Sequence, residues 1–391
     1  MNNLKDKLSR RDFIRRSTLA ATALTVGSSA DVTAKNASAS IINSVESPAT
    51  IDSETLEQWS APFRGWEYHP DPVIPSDYKI PIAGAEKFHN FDCPCVFQLE
   101  DKPGVWYMSF IGFDGGYNSF VAESRDLIRW ENPRLAMGFG PEGEFDHGGC
   151  VIGAYLYGKW GIREPRILRK LDGKYWTLYG CYPRQGGYEL RPGYEGVAVS
   201  DDGLHWRRAA NEPVLSVFQK DCKQWERDCI YQPWLVEHEG TYYNFYNAAE
   251  GGIERSGVAL SNDLIHWVRY PYNPVLTLRK GGYDEDFASD PKVYRDGDHW
   301  TMIYFGVGKG GASIMIAFSR DLLHWTADPE PLYKFGGHPG GLDMQYAHKA
   351  SLIYNPENNN YYMHYCACGN KGRTIGLLTG YAHPPRWTCG A

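Results

Sequence analysis

Four times the chain reads Ser-x-Asp-(Leu or Gly)-x-x-Trp: at Ser124 to Trp130, Ser200 to Trp206, Ser261 to Trp267 and Ser319 to Trp325. The tryptophans stand 76, 61 and 58 residues apart, a period that belongs to stacked or radial repeat architectures. A degenerate fifth copy ends near Thr379 to Trp387. Each motif closes a unit that reads as four strands. In the third unit these are a first strand from Pro233 to Glu237, a Glu239-Gly240 turn, an aromatic-alternating strand from Thr241 to Ala248, and a third from Ser256 to Ser261. A tryptophan-bearing fourth strand ends at Asn273 to Leu276. Period-two alternation, β-branched and aromatic enrichment and closely spaced glycine turns favour strands over helices. No amphipathic helix is predicted beyond the leader.

Five such units make an all-β chain, and four-stranded antiparallel blades arranged radially protect their own edges. The expectation is a five-bladed β-propeller. Its units run over Asp92 to Pro133, Glu164 to Leu215, Asp228 to Leu276, Asp290 to Leu332 and His348 to Trp387. Residues around Trp66 to Phe88 are expected to supply the strand that closes the ring.

Ser9-Arg10-Arg11-Asp12-Phe13-Ile14, followed by a short, weakly apolar run from Leu19 to Val26, has the form of a twin-arginine export signal. The domain expectation is therefore a signal peptide over 1–30, a linker over 31–60 and one propeller over 61–391. The product is expected in the periplasm or outside the cell. The formal charge of −7 becomes about −11 without residues 1–40. An acidic chain is a poor partner for phosphate backbones, so nucleic-acid binding is excluded. No later apolar run is long enough to span a bilayer. Nine cysteines leave one unpaired, and export of an already folded chain makes buried free thiols as reasonable as disulfides. The Cys93/Cys95 and Cys366/Cys368 pairs lack zinc-ribbon spacing, so no metal site is assigned.

An acid stands seven residues before the start of several first strands: Glu226 before Pro233, Asp284 before Pro291, and Asp343 before Ala350. Asp146 reads as the same element displaced by an insertion of about a dozen residues that carries Trp160. Repetition assigns these acids to structure. At the head of each first strand the residues differ: Asp92-Cys93, Arg163-Glu164, Tyr231-Gln232, Ser289-Asp290 and His348-Lys349, with Asp228 above. In a propeller these heads converge on one funnel, and variation at a repeated position marks a site. Asp92, Glu164, Asp228 and Asp290 are the candidate catalytic carboxyls, because glycosidic cleavage needs a proton donor and a second carboxylate. Arg163, Arg166 and Lys349 are candidate cationic binders, and Tyr231, Gln232 and Trp160 candidate sugar contacts.

The run Asp290-Pro-Lys-Val-Tyr-Arg-Asp-Gly-Asp-His-Trp-Thr-Met-Ile-Tyr, followed by the Ser319 to Trp325 motif, resembles the five-bladed propeller glycosidases of families 43, 32, 117 and 130. The resemblance runs from about residue 88 to the end. A family 43 likeness implies Asp92 as base and Glu164 as the orienting residue. Gln232 then stands where a catalytic acid belongs, which leaves Asp228 or Asp290 as proton donor. Arg163-Glu164-Pro165 is also similar to the Arg-Asp-Pro stabiliser of family 32, but that family's Trp-Met-Asn-Asp-Pro and Glu-Cys motifs are absent. The likeness to family 117 implies a histidine acid, for which His348 is the candidate. The resemblance also implies a possible structural cation in the central channel, while no cofactor is required.

The leading expectation is an exported glycoside hydrolase, exo-acting on an oligosaccharide or polysaccharide. Two alternatives use the same residues: a family 130-like phosphorylase whose Arg163, Arg166 and Lys349 grip phosphate, and a non-catalytic carbohydrate-binding propeller.

Overall fold

The computed structural model describes residues 51–382; the expected export signal, most of the expected linker and the end of the expected fifth unit lie outside them. Nearly all the regular secondary structure of the described residues is β. Five antiparallel units follow one another: I (His89–Phe97, Trp106–Phe113, Tyr117–Ser124, Glu131–Met137), II (Gly149–Tyr155, Lys174–Tyr182, Tyr194–Ser200, Arg207–Arg208), III (Cys229–His238, Thr241–Glu250, Ile253–Ser261, Val268–Arg269), IV (Phe287–Asp296, His299–Gly308, Gly311–Ser319, Thr326–Ala327) and V (Tyr346–Asn355, Asn360–Gly369, Gly372–Tyr381). Glu67–Tyr68 pairs antiparallel with unit V through Glu67↔Thr379, so the segment expected to close the ring does join the last unit. Unit V meets unit I where Val96 N–H donates to Ser351 Oγ at 3.2 Å.

The repeated motif is a turn held by its own side chains. Ser124 Oγ accepts the Leu127 N–H at 2.9 Å, and Asp126 Oδ1 accepts those of Ile128 and Arg129 at 2.9 and 2.8 Å. Asp202, Asp263 and Asp321 repeat this and also bind the Nδ1 of His205, His266 and His324 at 2.7 Å. These bonds stabilise a residue of positive φ at the turn centre: Leu127, Leu264 and Leu322 at +64°, +67° and +70°, and in unit II a glycine, Gly203, at +78°. The left-handed region disfavours a Cβ, which explains why one copy uses Gly and why the others need the Ser/Asp clamp.

The acids preceding the first strands are buried struts. Tyr179, Tyr246, Tyr304 and Tyr365, at one position of each second strand, donate to Asp146, Glu226, Asp284 and Asp343 at 3.0, 3.1, 2.8 and 2.8 Å. Arg208, Arg269 and Arg279 complete three of the four.

Two expectations are corrected. The end of the expected linker is a helix, Ser53–Ser60, capped by Asp52 and anchored by Trp59 stacked on His299 with centroids 3.8 Å apart. Unit II begins at Gly149 rather than Glu164. Asp146 stands seven residues before Gly153, the regular spacing, so the insertion follows the first strand instead of preceding it. The strand lacks a proline to mark it, and Arg163-Glu164-Pro165 supplies a false one.

Candidate active site

Strand register identifies the residues at the head of each unit. A bulge interrupts every first strand, and in units I, III, IV and V the residue before it pairs with an equivalent point of the second strand: Asp92↔Ile111, Tyr231↔Asn247, Ser289↔Phe305 and His348↔Cys366; in unit II the shift falls one residue later, after Ile152↔Tyr179. In four units the next residue has positive φ: Cys93 at 53°, Gln232 at 54°, Asp290 at 55° and Lys349 at 53°. Left-handed backbone at non-glycine positions costs about 1–3 kcal/mol each and clusters at functional sites. A bulge also re-aims the side chain beside it. Four strand heads thus share one backbone geometry at the pair of positions that carries Asp92, Tyr231, Gln232, Asp290, His348 and Lys349.

Asp92 is the electrostatic centre of this ring. It accepts from Lys349 Nζ at 3.0 Å, from Arg373 and from its neighbour's Cys93 N–H at 2.7 Å, and is 1% exposed. Burial alone would raise its pKa, but Lys349 and Arg373 outweigh that and hold it well below the carboxylate range. Lys349, despite the opposing effect of burial, is held well above the ordinary lysine value by Asp92. Arg373 lies over the Tyr188 ring at 5.3 Å. Gln232 donates to Cys93 Sγ at 3.1 Å, and Asp290 is tied to Lys292 Nζ at 2.7 Å. His348 Nδ1 meets the Cys366 carbonyl at 2.9 Å, and burial pushes its pKa down to about 3.

Residue-by-residue reading missed two carboxyls of this region. Glu254 opens the third strand of unit III, where a parallel pair with Phe287 carries it to the head of unit IV. Ser289 donates to it at 2.7 Å and Tyr231 also hydrogen-bonds it. Burial raises its pKa, with the negative charge of Glu189 adding to the rise. Glu189 lies in the loop between Lys174–Tyr182 and Tyr194–Ser200 and has a positive φ of 46°. A signal existed: Gly251-Gly252-Ile253-Glu254 and Tyr188-Glu189-Leu190-Arg191 place acids in hairpin tips pointing the same way as the strand heads, which period-based reading assigns to solvent.

Other expected members are elsewhere. Asp228 sits at the rim with its side chain 40% exposed, bound by Arg191 at 3.2 Å and by the Gly251 N–H. Arg163, Glu164 and Trp160 belong to the insertion, which bridges Gly161 to Arg295. Arg295 is five residues beyond Asp290, roughly 17 Å at about 3.3 Å per strand residue, so these three lie toward the far end of the first strands. There Glu164 pairs with Lys159, Arg163 with the Tyr361 hydroxyl, and Trp160 Nε1–H donates to the Leu235 carbonyl at 2.9 Å. They line a groove of about 1240 Å³ with Arg295, His299 and Trp300. Arg166 is buried against Tyr294 and Tyr157, its guanidinium 4.5 and 5.9 Å from the two rings. Burial raises the pKa of Cys95, with Lys292 and Arg166 opposing that rise.

Residues 162–344 match the model of the glycosyl hydrolases family 32 N-terminal domain. The fold is shared with a complex of BT0996 and RGII at TM-score 0.70 and 23% identity, covering 86% of this chain and 96% of that one. It is shared also with a structure from work on "the GH130 family of mannoside phosphorylases", which "contains glycoside hydrolases that target beta-1,2 mannosidic linkages in Candida mannan" (TM-score 0.59, 16% identity, 83% and 95% coverage). A third is Zg3597, a family 117 glycoside hydrolase of the marine bacterium Zobellia galactanivorans (TM-score 0.54, 12% identity, 80% and 89% coverage).

Proposed function

We propose that this chain is an exported glycoside hydrolase of the five-bladed β-propeller glycosidase superfamily, removing terminal sugars from an oligosaccharide through carboxyls at the head of a five-bladed funnel. The observation that carries the reading is the buried Glu254, whose pKa is raised by burial and by the neighbouring Glu189. A glycosidase needs one carboxyl protonated near neutral pH and a second one charged beside it, and environments that push two acids apart assign their roles.

Glu254 is the proton donor to the leaving glycosidic oxygen. Its carboxyl is set by Ser289 and Tyr231, so the proton is aimed rather than free to rotate. Glu189 is the second carboxylate, activating water or attacking the anomeric carbon. Asp92, kept ionised by Lys349 and Arg373, accepts sugar hydroxyls and stabilises positive charge developing on the ring. Gln232 and Asp290 complete the hydroxyl contacts. His348, with its pKa down near 3, is neutral at working pH and is not the acid. Export rests on the Arg10-Arg11 motif.

The test is hydrolysis of aryl glycosides and labelled oligosaccharides by the purified chain, with Glu254→Gln and Glu189→Gln alongside. Release of terminal sugars by the parent and its loss in both variants is expected; undiminished turnover in both would sink the reading. Of the three residues expected to grip phosphate in a phosphorylase, Arg163 lies toward the far end, Arg166 is packed against two rings and Lys349 is engaged by Asp92, which favours hydrolysis. Turnover independent of phosphate is therefore expected.

A further inference from the structure

We propose that His348, Cys366 and Cys368 bind a borderline-soft divalent cation, zinc in the first instance, in the wall of the funnel beside Asp92. One ligand atom from each of the three lies within 4.8 Å of the others, and all three residues are buried. The two sulfurs are 3.9 Å apart. Two thiolates on one tetrahedral zinc, each at about 2.3 Å, stand roughly 3.8 Å from one another. The spacing suits the ion without movement of the backbone.

The fold produces this arrangement from two facing strands. Cys366 and Cys368 are two residues apart on Asn360–Gly369, so their side chains share one face. His348 is the register partner of Cys366 on Tyr346–Asn355 and diagonal to Cys368. The Cys-x-Cys spacing therefore suits a metal only because a third donor comes from the neighbouring strand, which linear motif searches do not see.

The histidine is also oriented for ligation. Its Nδ1–H points to the Cys366 carbonyl at 2.9 Å, which leaves the Nε2 lone pair free to bind metal. A backbone acceptor on the far ring nitrogen is the usual support of a ligating histidine. A sulfur-rich donor set with one imidazole selects zinc or copper(I) over magnesium and calcium. Three protein donors leave a fourth position, and the Asp92 carboxylate, hydrogen-bonded by the Cys366 thiol, stands next to it. The other charges facing the cluster are Lys349 and Arg373, both engaged by Asp92.

The experiment uses the full chain, purified reduced and metal-free, titrated with cobalt(II) and then zinc. One equivalent of cobalt is expected to give a thiolate-to-metal charge-transfer band and the intense visible bands of a tetrahedral site, both abolished by zinc. The Cys366→Ser/Cys368→Ser double variant and His348→Ala should lose the band, whereas Cys222→Ser should keep it. Zinc should also protect Cys366 and Cys368 of the parent chain from maleimide, a readout that needs no variant to fold. Absence of the charge-transfer band in the parent, alkylation of both cysteines at the same rate with and without zinc, or a Cys366–Cys368 disulfide in freshly isolated, thiol-blocked protein would each overturn the proposal.

Discussion

Lys349 Nζ donates to Asp92 Oδ2 at 3.0 Å across 257 positions of sequence, joining the first strand of the first unit to the first strand of the last. Both side chains are almost completely buried, at 8% and 2% exposure. The bond lies at the seam where the ring of units closes and in the candidate active site, so fold closure and site electrostatics depend on the same pair.

Removing one charge from that pair should be costly. Asp92→Asn leaves Lys349 and Arg373 facing an uncharged amide, and breaking a buried ion pair typically costs about 3–5 kcal/mol. Thermal unfolding should show a clear drop in Tm together with loss of turnover. Adding Lys349→Met should restore part of the stability and none of the activity; a double variant no more stable than Asp92→Asn would show that the pair is not coupled.

Glu254→Gln should lower kcat/KM by about 10²–10⁴-fold for poor leaving groups, the usual contribution of a positioned general acid. Activated aryl leaving groups, which need no proton, should be affected least. In the parent, kcat/KM should decline as pH rises through the raised pKa of Glu254, because only the protonated form donates. A pH profile of the variant on an activated substrate should lack that decline.

Glu195 lies between units II and III, fully buried and bound by Asn244, and burial raises its pKa to about 8. The folded state therefore binds a proton more tightly than the unfolded chain. This contribution to stability is fully present below the ordinary glutamate value and is lost as pH rises through about 8. Glu195→Gln, which keeps the neutral shape, should unfold at nearly the parent temperature in mild acid and above it at alkaline pH. Melting curves across pH would expose the opposite trend if it existed.

Glu164→Gln should leave kcat and KM unchanged. Its partner Lys159 has a side chain 70% exposed, and Glu164 itself is 37% exposed. Exposed pairs contribute about 0–1 kcal/mol. A large loss of activity in this variant would place the chemistry toward the other end of the first strands.

The family likeness and the repeat were legible because they depend on local chemistry. Each Ser-x-Asp turn carries its own stabilising bonds within four residues, so the sequence must repeat it whenever the turn recurs. The same holds for Glu226, Asp284 and Asp343, whose fixed spacing marks them as structural without knowledge of their tyrosine partners. Asp92, Tyr231, Gln232, Asp290, His348 and Lys349 could be grouped at the strand heads because register follows from the repeat. Glu164 was misplaced by a proline that imitated the repeat, since one-dimensional matching cannot distinguish a strand from an insertion.

By itself the sequence determined an all-β chain of repeated antiparallel units, the turns that end them and the inward-facing positions at their heads. Those are consequences of period, turn chemistry and glycine or proline placement, all of them short-range. Only the tertiary structure decided that Arg373 of unit V joins Asp92 of unit I, that Glu254 leans onto the head of unit IV, and that His348 faces two cysteines. Such contacts link residues on different strands or units, and their energies come from burial and charge that no single segment contains.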